Sequence, residues 1–207
     1  TLWFFILRNA LRPAMLERSK FDVVVGHPPW LPFQRFSRSP RYQQWLRSQV
    51  LDEYQIQDRS RPHLFTQMEL ATLFFARTAD LYLKDGGTIA FVMPKSVMVA
   101  QQYARFTAMS FKEGGSLVLA LRTVLDIEGV TPLFNVPTCV LTATKGQWPQ
   151  DTIPGQALRG DLLVKNRSLE EARDTLTFAD TTYQRAQGRL VAEGAYEDHP
   201  QLSQFVE

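Results

Sequence analysis

Cysteine is nearly absent from the 207-residue chain: Cys139 stands alone, so no disulfide can close within it. A reducing compartment such as the cytoplasm is the expected setting. Histidine is almost as scarce. His27, His63 and His199 lie far apart, and no Cys/His cluster has metal-ligand spacing, so a zinc site is not expected. No apolar run approaches the ~20 residues that a bilayer span needs. Net charge is small as well: 23 Lys+Arg against 21 Asp+Glu leave +2, which is too balanced to indicate a nucleic-acid partner by itself. Any contact with DNA has to come from local patches. The apolar start, Thr1 to Leu7, is followed by Arg8 and Arg12 rather than preceded by basic residues, the reverse of a signal peptide. There is no internal repeat and no low-complexity tract.

The composition, 44% hydrophobic and 21% charged, is that of a globular protein with one good core. The length suits one domain, or one with a small appendage. The chain begins with Thr inside a helical apolar pattern (Leu2, Phe5, Ile6, Leu11, Met15), so we expect it to be cut from a longer protein.

The pattern predicts a helix over 2–18 and then a continuously apolar, β-branched run, FDVVVG, at 21–26. Such a run marks a strand buried on both faces, as in a parallel sheet. The following His27-Pro28-Pro29-Trp30 cannot continue a ladder, so 26–32 reads as a rigid loop at a strand's carboxyl end, where open α/β sheets bind ligands. Residues 33–62 mix arginine with aromatics, with a helix expected near 40–51. A long amphipathic helix is predicted over 66–83, with Thr66 and Glu69 as a capping box and Lys84-Asp85-Gly86-Gly87 as its stop. A strand at 88–93, a helix at 96–110, strands at 117–124 and 137–144 and a loop at 125–136 follow. The helix and strand either side of Gly86-Gly87 should form a right-handed crossover. Beyond Lys145 the chain is punctuated by Gly and Pro, with helices expected at 168–174 and 199–206.

The order strand, Gly-His-Pro-Pro-Trp, long helix, Gly-Gly, strand, Pro resembles the catalytic half of S-adenosylmethionine-dependent DNA adenine-N6 methyltransferases. In that family Asn, Asp or Ser precedes Pro-Pro-aromatic after an apolar strand. Here the segments are FDVVVGHPPW, LYLKDGGTIAFVMPKS and LFNVPTCVLTATK, covering roughly residues 10–145. The resemblance implies an α/β fold: a partial Rossmann-like methyltransferase domain with a mostly parallel sheet, flanking helices and an irregular C-terminal tail. Residues 1–145 would be the C-terminal half of the catalytic domain, and 146–207 a connector or the start of another domain. It implies S-adenosylmethionine as cofactor, and as partners DNA and other subunits or domains of a restriction-modification or phage-defence system, with no membrane.

Methylating an exocyclic amine requires its lone pair to be drawn out of the ring toward the methyl donor. Two hydrogen-bond acceptors on the amine hydrogens do this. Prolines hold such acceptors with little backbone freedom. By the resemblance His27, Pro28, Pro29 and Trp30 form the catalytic loop. Pro28 would offer its carbonyl and Trp30 would stack on the extruded base. Phe134 resembles the aromatic covering the base's other face. Arg35, Arg38 and Arg41 are the candidate DNA contacts.

His27 departs from the family pattern. Neutral imidazole accepts one hydrogen bond and protonated imidazole none, so the site is either active with altered geometry and pH dependence or degenerate. A general-base role for His27 is the third possibility. The glycine-rich cofactor loop, which precedes this motif in the family, is not found in residues 1–26.

Plainer readings exist for each feature. The Pro-Pro segment can be a strand-ending turn and the arginines a solvated surface. Phe74 and Phe75 read as core, Ser96 as a helix cap beside Lys95, and Cys139 as a buried strand residue. His63 reads as a loop residue. Two other functions stay open: a glutamine-amide methyltransferase of proteins, which shares an Asn-Pro-Pro-aromatic loop, and a non-enzymatic DNA-binding scaffold with a decayed site.

Overall fold

The computed structural model describes residues 11–36, 39–162 and 168–193. Residues 11–18 are helical, and the remainder of the helix expected at 2–18 lies outside the described residues, as does the helix expected at 199–206. Strand β1, Phe21–Gly26, is followed by a helical turn at Phe33–Phe36 and helix α1, Pro40–Ser48, which runs on into a π turn at Gln49–Glu53. Helix α2 spans Leu70–Tyr82 and passes directly into strand β2, Leu83–Pro94. After three short turns come β3 (Ser110–Phe111), β4 (Leu117–Thr131), β5 (Thr138–Lys145), β6 (Thr152–Asp161), helix α3 (Leu169–Arg173), β7 (Leu176–Ala186) and β8 (Arg189–Ala192).

The eight strands make one mixed sheet in the order β1-β2-β5-β4-β6-β7-β8, with β3 on β4. The α/β class with flanking helices holds. The strand directions differ from the expected mostly parallel arrangement: β1 with β2 and β4 with β6 are parallel, and the other pairs are antiparallel. Short connections such as 132–137 permit only antiparallel neighbours, whereas β1 and β2 are separated by α2, long enough for a parallel crossover.

The main core gathers Phe33, Leu46, Phe65, Leu73, Phe75, Phe91, Phe106 and Leu141 with Ile153, Tyr183 and Leu190. The last three belong to the stretch read as an irregular tail. The boundary expected at 145/146 therefore does not divide two cores: β6, β7 and β8 continue the sheet. These strands escaped the sequence reading because β6 carries Pro154 and two glycines, and β7 buries only Tyr183.

Local chemistry corrects other boundaries. Thr66 does not cap α2. Its hydroxyl donates to the His63 carbonyl within a 3₁₀ turn, Pro62–Gln67, and Glu69 occupies the N-cap without a side-chain bond. Lys84–Gly87 does not end the helix as a loop but opens β2, and Lys145 at the end of the neighbouring β5 caps α2, its ammonium donating to the Asp80 and Leu83 carbonyls at 3.1 and 3.0 Å. The expected helix at 96–110 breaks at Ala100, which is extended, and Ser96 makes no side-chain cap. The expected loop 125–136 is strand as far as Thr131, because Ile127 and Val130 face a second small core with Leu158, Leu162 and Ala172. Phe75 is fully buried, but Phe74 is 44% exposed. Cys139 is buried, which pushes its thiol up to about 12, and the helix expected at 168–174 is α3, which opens with a Ser168/Glu171 capping box that had not been read from the sequence.

Candidate active site

The site is built at the carboxyl ends of the parallel pair β1 and β2. Gly26 ends β1 opposite Phe91, and a Cβ there would lie 2.8 Å from the Phe91 ring, so only glycine lets the strand close down at this point. The two prolines that follow turn the chain over the end of β2. Pro28 is buried, while His27 and Pro29 are exposed and Trp30 is half-buried. The Trp30 indole N–H donates to the Val92 carbonyl at 3.1 Å, tying the loop to β2. Beyond it, Phe33 N–H donates to Met68 O at 3.0 Å and Leu70 N–H to Leu31 O at 2.9 Å, so the loop is stitched at both ends.

Residues far apart in the chain converge on this loop. The ring of Phe134, from the β4–β5 connection, lies 5.5 Å from Trp30 and 5.7 Å from His27, and His27 meets Trp30 edge-on at 4.8 Å. His27, Trp30 and Phe134 thus form one aromatic cluster. A planar base held between two rings at van der Waals contact needs about 7 Å between them. The Trp30–Phe134 pair, tilted at 42°, is closer than that and must part to admit one.

Beside the cluster, Lys95 lies just beyond β2, with its Nζ 2.5 Å from Asp126 and 2.6 Å from Glu128. Burial lowers the affinity of this ammonium for its proton, but the hydrogen bonds and charges of the two carboxylates outweigh that and set its pKa above the usual lysine range. Asp126 and Glu128 were not singled out from the sequence. Their two-residue spacing on a strand, which puts both side chains on one side, was the available signal.

Arg35 lies in the turn just past the loop and Arg41 in α1, both exposed; Arg38 lies outside the described residues. The remaining arginines of the stretch divide: Arg47 stacks on Phe65 at 4.6 Å and Arg59 pairs with Asp52 at 2.6 Å. His63 is exposed in the 3₁₀ turn. Among the described residues no group of three acidic, His or Cys side chains could hold a metal, and no helix is long and apolar enough to cross a membrane. β1 is an edge strand, and its Phe21, Val23 and Val25 are 38%, 61% and 76% exposed, an apolar row with nothing over it among the described residues.

Together these features define an α/β domain with a Pro-Pro-Trp loop and an aromatic cluster at the carboxyl end of its parallel strand pair. The chain belongs to the Eco57I restriction-modification methylase family, whose model matches residues 4–115. No functionally curated protein matches it in sequence. Among solved structures it is similar to the Type ISP restriction-modification enzyme LlaGI, a nuclease-deletion mutant in complex with a DNA substrate mimic, at 12% identity and a TM-score of 0.51, covering 91% of this chain and 20% of that one. It is similar to the ATP-dependent Type ISP enzyme LlaBIII bound to DNA at 12% identity and a TM-score of 0.50, covering 92% and 14%. A modification subunit of a putative type I restriction enzyme from Vibrio vulnificus is matched at 14% identity and a TM-score of 0.45, covering 85% and 37%. These likenesses concern the fold. The chain spans well under half the length of each of these proteins.

Proposed function

We propose that this chain is the base-handling half of a DNA adenine-N6 methyltransferase that draws its methyl group from S-adenosylmethionine. The observation that carries the reading is the convergence of His27, Trp30 and Phe134 on the loop that ends β1. An extruded adenine stacks between Trp30 and Phe134 once the two rings part. The Pro28 carbonyl and the acceptor nitrogen of neutral His27 take the two hydrogens of the exocyclic amine. That draws the nitrogen toward a tetrahedral, nucleophilic state, while the two prolines keep the acceptors in place. Pro29 and the indole anchor on Val92 supply the rigidity. Arg35 and Arg41, and by the sequence Arg38, hold the phosphate backbone.

The residues described do not fit the whole cofactor site. The adjacent glycine pairs, Gly86–Gly87 and Gly114–Gly115, open β2 and precede β4, at the end of the sheet opposite the aromatic cluster. Neither can cradle the cofactor beside the target amine. The apolar edge strand β1 agrees with this division, since a sheet carrying the cofactor loop would cover it. A protein of this kind works where the DNA is, which implies the cytoplasm, and its partners are DNA and further domains or subunits of a restriction-modification system.

A specific observation favours one rival, a decayed DNA-binding scaffold: His27 stands where an amide or carboxylate is expected, and the ring pair is closed. Incubating the full-length protein with methyl-labelled S-adenosylmethionine and mixed-sequence DNA tests the proposal. Label in the DNA supports it. Label in glutamine side chains of added protein, or none in either with wild-type His27 and with His27→Asn, refutes it.

A further inference from the structure

We infer that Lys95 is a positioning residue that clamps both ends of the arm carrying Phe134. At Asp126, strand β4 makes its last pairing with β5, opposite Cys139. Its register with β6 shifts between Asp126 and Gly129, and from Gly129 to Thr131 it pairs with β6 alone. The chain then turns through 132–137 and rejoins the sheet at Thr138. Residues 127–137 therefore form an excursion from the main sheet. Its packing is the second small core, against which Leu133 and Phe134 lie, and not the main one.

Lys95 meets this excursion at both roots. Its backbone N–H donates to the Pro137 carbonyl at 2.9 Å, at the returning end. Its ammonium binds Asp126 and Glu128 at the departing end, and the Glu128 N–H donates back to Asp126 Oδ1 at 3.0 Å. Lys95 also follows β2, whose Val92 carbonyl holds Trp30. One residue thus refers the Phe134 arm to the strand that fixes Trp30, so the spacing of the two rings depends on it. The side chains of Lys95 and Asp126 are only 27% and 15% exposed, so the pair is partly shielded from solvent, and among the described residues Lys95 is the one cation paired with Asp126 and Glu128. Without it two like charges face each other at the arm's root.

What the clamp is for rests on the base-stacking proposal, but its existence does not. The test is hydrogen exchange by mass spectrometry on the full-length protein, free of DNA and cofactor, for wild type, Lys95→Met, Lys95→Arg and Glu128→Gln. Lys95→Met should speed exchange about tenfold in peptides covering 127–137 and leave the other strands unchanged. Lys95→Arg, which keeps charge and reach, should restore most of the protection. Glu128→Gln, at a half-exposed side chain that folding tolerates, should loosen the same peptides to a lesser degree. Lys95→Met should also weaken binding of DNA with a mismatched target base about threefold or more, with affinity for fully paired DNA unchanged. Unchanged exchange in 127–137 in both Lys95→Met and Glu128→Gln overturns the clamp and leaves the methyltransferase proposal standing. So does acceleration spread evenly over the sheet, which would make Lys95 a general stabiliser. If the protein never methylates DNA, that proposal falls while the exchange result still decides the clamp.

Discussion

Truncating Trp30 and Phe134 together should weaken binding of DNA with a mismatched target base by more than the sum of the two single losses. In the free protein the rings touch, with centroids 5.5 Å apart. Such a pair is worth about 0.5–1.5 kcal/mol beyond its buried area. A base entering between them forfeits that contact and gains stacking of about 1–3 kcal/mol on each ring. Each single alanine variant loses one stacking face but no longer has a ring pair to separate. Its net loss is therefore about 1–2 kcal/mol, a five- to thirtyfold drop in affinity. The double variant loses both faces and recovers the pair contact only once, so its loss exceeds additivity by about 0.5–1.5 kcal/mol. Anisotropy titrations of full-length protein at one fixed salt concentration measure this, with unfolding midpoints run alongside to confirm folded variants. Trp30→Phe is the control: it keeps a ring, loses the bond to Val92 O, and should cost about 1 kcal/mol in stability with little change in binding. Strictly additive losses, or a double variant no weaker than Trp30→Ala, would show that no base passes between these rings.

Three further outcomes follow from single contacts. His27→Asn should keep or raise methyl transfer, because an amide oxygen accepts the amine hydrogen with a smaller side chain than the imidazole ring; methyl-transfer rates of the two proteins measure it, and complete loss of activity would give His27 chemistry of its own. Lys145→Met should lower stability by about 1–3 kcal/mol in denaturant titration, since the Asp80 and Leu83 carbonyls lose their donor in a buried place. Burial raises the pKa of Glu69, and one of its oxygens is buried without a partner, so the folded state holds this proton longer than the unfolded one and stability falls as pH rises through the raised pKa. Glu69→Gln should remove that fall and stabilise the protein by about 1 kcal/mol at neutral pH, read from unfolding midpoints across pH 4–8.

The parts of the fold legible in the sequence were those where one local rule acted alone. FDVVVG carries three consecutive valines and is β1 to the residue, though as an exposed edge strand and not the strand buried on both faces that the run implied. The strand expected at 137–144 is equally unambiguous and is β5, Thr138–Lys145. What escaped was set by partners distant in sequence. Lys84–Gly87 reads as a helix stop, yet Leu83 and Gly87 are buried in β2 against β1. Ile127 and Val130 extend β4 only because β6 is there to receive them, and β6 itself is too interrupted to be recognised alone.

The site shows the same division. His27, Pro28, Pro29 and Trp30 stand together in the chain and were read as one candidate loop. Phe134 is over a hundred residues away and came only from family resemblance, though it lands against the other rings. Asp126 and Glu128 gave no motif, because their role depends on Lys95, which lies beyond the end of a different strand.

Nucleoside mass spectrometry of DNA from cells expressing the full-length protein tests the central claim most directly. N6-methyladenine should rise above the background of cells without the protein, in wild type or on His27→Asn, and should be lost when Trp30→Ala is added to the active form. DNA without N6-methyladenine in both wild type and His27→Asn, from cells in which both proteins are folded and abundant, would contradict it.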